Sequence, residues 1–174
     1  MRHEFESRGN TVWTRGRAPT ILLVIAAGLS AASCRPFRIE TPESFIELEE
    51  SRRSDYAYRA TTADGIVVAI RTEDNDRRGT LEFWSEAIRS KLRDVRGYAV
   101  LEERDINAQG GMPGKQIRFG RDESGHAYRY WVSLFVRHEG RNPLVWVIES
   151  GGQQDVFEDR QDDIEAMIRS FEPR

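Results

Sequence analysis

Two runs in this 174-residue chain are apolar on both of their alternating faces, and that feature narrows the fold more than any other. Successive side chains of a β-strand point to opposite sides. In Ala127 to Val136, Tyr128, Tyr130, Val132, Leu134 and Val136 fall on one side, with Trp131, Ser133 and Phe135 on the other. The run Ile66 to Ile70 repeats the pattern, with Ile66, Val68 and Ile70 opposite Val67 and Ala69. A sheet with one solvated face shows clean apolar–polar alternation, so strands apolar on both sides require cover on both. The Ile66–Ile70 strand is expected in a central position.

Around these runs the chain alternates between the two helical and strand periodicities. Tyr56, Tyr58 and Ala60 precede an Asp64-Gly65 turn signal, which joins them to Ile66–Ile70 as a hairpin. Leu81, Trp84, Ile88, Leu92 and Val95 recur at helical spacing, with Thr80 as N-cap and Glu82 at the positive end, until Gly97 stops the helix. Trp84 belongs to a packing stripe, since aromatic residues at this spacing bury large area. Extended segments follow over Tyr98–Ile106, Lys115–Phe119 and Ala127–Val136, the first two separated by a turn at Gly110-Gly111-Met112-Pro113-Gly114. After Asn142-Pro143 comes a strand over Leu144–Glu149, which Ser150-Gly151-Gly152 is expected to end. A last helix begins near Asp155, with a possible capping box to Glu158, and places Phe157, Ile164, Ile168 and Phe171 on one side.

The order is thus β-β-α-β-β-β-β-α. Turns as short as those between the later strands force antiparallel pairing, because a parallel crossover takes about a dozen residues or more. Helices at two separate places, with strands apolar on both faces, predict an α+β fold: an antiparallel sheet flanked by helices in an α/β/α sandwich. This pattern resembles the PsbP-like fold, shared by a photosystem extrinsic subunit, a Ran-binding import factor and many bacterial lipoproteins. The residues that carry the likeness are Tyr56 to Arg71, the helix bearing Phe83-Trp84, Ala127 to Val136, and Val145 to Gly152 leading into Phe157 and Ser170-Phe171. The resemblance implies a non-enzymatic binding or assembly role and names no partner.

The N-terminus has a different chemistry. Arg2, Arg8, Arg15 and Arg17 stand against Glu4 and Glu6, and then Ala18 to Ser33 carries no charge. A basic segment before an apolar stretch is the layout of a secretory signal peptide. Sixteen uncharged residues fall short of the roughly 20 that span a bilayer core. The stretch ends in Leu29-Ser30-Ala31-Ala32-Ser33-Cys34, which resembles a bacterial lipoprotein lipobox, with Ala31 where that motif usually has Leu. The resemblance implies cleavage after Ser33, lipid on the Cys34 sulfur and acylation of the new amino terminus. Residues 1–33 are accordingly expected to be a signal peptide, 34–44 a tether entering the fold, and 45–174 the globular domain. Two or more acyl chains, at about 0.8 kcal/mol per buried methylene, would hold the protein at a membrane. Arg35, rather than Asp, follows Cys34, which favours the outer over the inner membrane.

Composition excludes several function classes. The chain carries 26 Lys+Arg against 29 Asp+Glu, a formal charge of −3, and loss of residues 1–33 leaves 22 against 27. A domain that neutralises nucleic-acid phosphates needs the opposite balance, so no nucleic acid is expected as partner. One cysteine permits neither an intrachain disulfide nor a multi-cysteine metal site. His126 and His138 flank one strand 12 residues apart, about 40 Å at 3.3 Å per residue, too far for one metal or one acid–base pair. The glycine loop 110–114 precedes a strand and lacks a Gly-Lys-Ser/Thr ending, so it is a turn rather than a phosphate loop. Asp155, Glu158, Asp159, Asp162, Asp163 and Glu165 do not match a calcium loop and are expected on a solvated helix face. Arg71 and Glu149, each ending an apolar strand, are candidates for a structural ion pair. Tyr56, Tyr58, Arg59, Tyr128, Arg129 and Tyr130 are residue types favoured at interfaces, but sheet packing is the favoured account of them.

No catalytic residue, metal or cofactor is expected. The reading is a lipid-anchored, non-catalytic envelope module that binds or assembles with an unknown protein. The alternative is an envelope enzyme whose site is built from dispersed Arg, Glu and Tyr residues. The two are distinguished by shape: convergent polar groups in a deep cleft suit an enzyme, and a shallow surface suits a binding module.

Overall fold

Residues 35–49 and 54–174 are described by the computed structural model, so the expected signal peptide and Cys34 lie outside the described residues. A seven-stranded, wholly antiparallel sheet organises the domain. Its strands are β2 (Ile46–Glu47), β3 (Tyr58–Thr61), β4 (Val67–Asp74), β5 (Ala99–Asn107), β6 (Pro113–Glu123), β7 (His126–Arg137) and β8 (Leu144–Gln153). The spatial order is β2-β3-β4-β8-β7-β6-β5. The chain makes the β3–β4 hairpin, crosses one face through α1 (Leu81–Ser90) to the far edge, and returns strand by strand until β8 pairs with β4. That closure puts β8 at the centre and β4 one place beside it, which corrects the central placement expected for Ile66–Ile70.

The Ala127–Val136 strand does divide between two cores, whereas the second face expected to be covered on Ile66–Ile70 is not covered at Val67, which is 42% exposed and joins neither core. On one face Trp131, Phe135, Trp146, Ile148, Val68 and Ile70 pack with Phe157, Ile164, Met167, Ile168 and Phe171, supplied by α2 (Gln154–Asp159), α3 (Gln161–Ser170) and the residue after it. On the other, Val132, Leu134, Val136, Val145, Val147, Ile117 and Phe119 meet Leu81, Trp84, Ile88 and Leu92 of the first helix. Thr80 caps that helix, accepting from the Phe83 amide. Val95 departs from the expected stripe and is 75% exposed. Lys91–Val95 winds as a π turn, and its wider i→i+5 spacing rotates Val95 off the face that Leu81 to Ile88 occupy. Gly97, at φ +73°, then ends the helix as expected.

Three further expectations are corrected. Ser150-Gly151-Gly152 does not end β8, which continues through Gly151 and Gly152 opposite Tyr130 and Arg129. These glycines admit close neighbours: a Cβ at Gly151 would lie 3.0 Å from the Tyr130 ring, and one at Gly152 2.3 Å from Ile66 Cδ1. The last helix is not capped by Asp155; it starts after Gln153 without a side-chain cap and breaks at Arg160 (φ −104°, ψ 5°) into α2 and α3. The expected tether is docked over its described part. Phe37–Arg38 forms β1, pairing antiparallel with β9 (Glu172–Pro173), and Phe37 is buried against Phe171 at 5.7 Å between ring centroids. A buried phenylalanine contributes about 1.5–3 kcal/mol relative to an exposed one, and together with the β1–β9 pairing it favours a docked lead-in.

Candidate functional site

The unequal cover of the two faces opens a cleft. Seven strands spaced about 4.8 Å apart make a sheet nearly 29 Å wide, whereas one helix with its side chains covers about 10–12 Å. The single helix α1 packs over β6, β7 and β8, leaving the same face of β4 uncovered. The resulting cleft, of about 860 Å³, is walled by the end of α1 and its π turn on one side and by the β3–β4 region on the other.

Its floor carries the two charges singled out in the sequence. Arg71 Nε lies 3.6 Å from Glu149 Oε1. The pair sits in mid-strand rather than at the sheet's end, because β4 and β8 run on beyond both residues. Ala69 is directly opposite Glu149 and Val147 opposite Arg71, so the two meet diagonally on one face. Arg71 also binds Glu73, and the Tyr56 hydroxyl donates to Glu149 Oε2 at 3.0 Å. Burial, followed by the Glu149 charge and a hydrogen bond to it, pushes the Tyr130 phenol well above its ordinary range. Tyr56 is raised by the same causes in the same order. Both tyrosines therefore keep their protons and act as donors to the carboxylate.

Above this neutralised cluster three further cations line the cleft, against one further acid, Asp55. Lys91 and Arg96, on the π turn and just after it, make no side-chain hydrogen bond or ion pair among the described residues. Arg121 of β6 stands over the Tyr98 ring at 5.6 Å and 3.6 Å from Glu123. Tyr98 and Tyr130 lie 5.4 Å apart, backed by Phe119. No Ser, Cys or His is among the residues lining the cleft.

The tyrosines and arginines noted together in the sequence separate in the structure. Tyr56 and Tyr130 line the cleft, whereas Tyr58 is wholly buried on the other face. Its hydroxyl is 2.7 Å from Thr41 Oγ1, and burial pushes it up to about 12. Arg129 turns to Glu158 at 3.1 Å, and Tyr128 and Arg59 are half-buried. His126 and His138 sit at opposite ends of β7. Among the described residues no group of three or more His, Cys, Asp or Glu side chains is placed to hold a metal ion. Lys91, Arg96 and Arg121 escaped the sequence reading, since isolated basic residues carry no local signature and the π turn that positions the first two interrupts a stripe that is regular in sequence.

An antiparallel sheet built this way, one helix on one face and a helix pair on the other, is the PsbP-like α+β fold. No family model matches the chain, and no curated protein matches it. Among solved structures it is similar to LpqN of Mycobacterium tuberculosis, at TM-score 0.63 and 15% identity over 79% of this chain and 83% of that one. The cyanobacterial PsbP of Synechocystis matches at TM-score 0.51 and 9% identity, covering 86% and 99%. The Saccharomyces cerevisiae Ran-binding protein Mog1p matches at TM-score 0.50 and 14% identity, covering 79% and 90%.

Proposed function

We propose that this protein is a lipid-anchored, non-catalytic binding or assembly module of the bacterial cell envelope, and that the cleft beside α1 is where it engages its partner. The observation that carries this reading is the cleft's chemistry. Its central carboxylate, Glu149, is already matched by Arg71 and two tyrosines, while cations and aromatic rings suited to recognition outnumber the one remaining acid, Asp55. Two proteins of similar fold support it: LpqN is described as involved in cell envelope biogenesis, and Mog1p as Ran-binding.

The membrane part of the reading rests on the order of residues up to Cys34. Among the described residues no helix is long and apolar enough to cross a membrane, so retention would come from lipid on that sulfur. Arg35 after the cysteine favours the outer membrane.

The enzymatic alternative has one observation in its favour, because Arg71, Glu149, Tyr56 and Tyr130 converge in a cleft as a dispersed site would. They do so by satisfying one another. A general base needs a pKa near the working pH, and both phenols are pushed away from it. Binding is the better account. A photo-crosslinking residue placed at Lys91, on the cleft wall, is expected to trap a discrete partner in the envelope, and one at exposed Asp162 on α3 is not. Equal labelling from both positions, or none from Lys91, contradicts the proposal.

A further inference from the structure

Lys91, Arg96 and Arg121 present positive charge to one cleft, and the first two have no acidic partner among the described residues. The acidic groups on that face do not cancel them: Glu73 and Glu149 are both engaged with Arg71, and Asp55 alone stands against the three cations. Beside these cations the Tyr98 and Tyr130 rings, tilted 37° to each other, offer a partly apolar surface with Phe119 behind it. The site therefore pairs an anion-binding wall with a ring platform, in a space within the size range of small-ligand pockets.

We propose that the cleft binds a phosphate-bearing ligand, with its anionic group taken by Lys91, Arg96 and Arg121 and its body lying against Tyr98 and Tyr130. A carboxylate brings one negative charge, whereas a phosphomonoester brings about −1.5 to −2 at neutral pH and three strong acceptor oxygens. Three cations are better matched by the second. Guanidinium forks suit phosphate geometry, and lysine serves it as a point charge. The ligand is either a soluble phosphoester or the headgroup of an acidic lipid, with the phosphate in common. This inference rests on the cleft being the binding site and adds the class of ligand.

Titration of the full chain in non-ionic detergent, followed by amide NMR, tests it with phenyl phosphate, benzoate and short-chain dihexanoylphosphatidic acid as probes. Phenyl phosphate is expected to shift the amides around Lys91–Tyr98 and Arg121 saturably and to bind about tenfold or more tightly than benzoate. The exposed double variant Lys91→Gln/Arg96→Gln is expected to weaken it roughly tenfold or more while the other amides stay in place. Tighter binding of the phosphatidic acid than of phenyl phosphate assigns the headgroup source, and the reverse order the soluble one. Benzoate binding as well as phenyl phosphate, no saturable shift with either phosphate probe, or an unchanged affinity in the double variant overturns the inference. If phosphate binding is absent while the Lys91 cross-link persists, only the ligand class is wrong; loss of both removes the binding reading itself.

Discussion

Glu165 shows how much a single side chain's surroundings change its meaning. On a helix rich in acids it reads as solvated, yet it accepts from Arg118 at 2.7 Å and Arg104 at 3.1 Å, and Arg118 lies 3.8 Å over the Trp131 ring. The contact joins α3 to β5, β6 and β7. Its acidic neighbours are drawn in as well, Glu158 by Arg129 and Asp163 by Ser44. Burial pushes the Glu165 carboxyl up, but the Arg118 hydrogen bond and the Arg104 charge outweigh it and hold the group below its ordinary 4.5. A carboxyl depressed on folding stabilises the native state above its unfolded value, and that contribution is lost as pH falls through the folded value. Glu165→Gln is therefore expected to cost about 1–3 kcal/mol at neutral pH, because it leaves two partly buried arginines short of a charge. The deficit should shrink well below pH 4.5. Urea denaturation at both pH values checks this, and an equal deficit at both would exclude the ionic account.

At the scale of elements, the wall of the cleft depends on how α1 is launched from β4. Asn75, buried in that connection, donates through Nδ2 to the Gly79 carbonyl at 2.9 Å. Its Oδ1 accepts from the Gly79 amide at 2.8 Å and from Trp84 Nε1 at 3.1 Å. Asn75→Ala removes all three bonds and takes the acceptor from the half-buried Trp84 indole N–H, so a loss of about 2–3 kcal/mol is expected in thermal or chemical unfolding. A change below about 0.5 kcal/mol would show that α1 is positioned by its apolar stripe alone. The stripe from Leu81 to Leu92 was readable, as were the Thr80 cap, the Asp64-Gly65 hairpin and the two-sided Ala127–Val136 strand, because each is a local period or turn preference. Asn75 was not, since its importance comes from partners met only after folding. For the same reason the Gly151-Gly152 pair reads as a strand end until Tyr130 and Ile66 are seen pressed against it. The cleft was half-legible: Arg71 and Glu149 stand out as charges in apolar strands, whereas the cations opposite them depend on the π turn.

For the whole molecule, the proposed function takes its binding face from the described fold and its membrane retention from the N-terminal sequence. The β1–β9 pair ties the start of the described chain to its end, with the Arg174 amide donating to the Pro36 carbonyl at 2.9 Å. A lipid on Cys34 would thus connect to the domain through very few residues, and the domain would stay close to the membrane. Such retention owes nothing to the apolar cores, both of which are consumed by the sheet and its helices. That lipid, rather than any element of the fold, holds the protein in place is tested most directly by the intact mass of the protein extracted from envelope membranes. The expected species begins at Cys34 and carries the added mass of a diacylglyceryl group and an amide-linked acyl chain. A chain that keeps residues 1–33, or one with an unmodified thiol at Cys34, would contradict it.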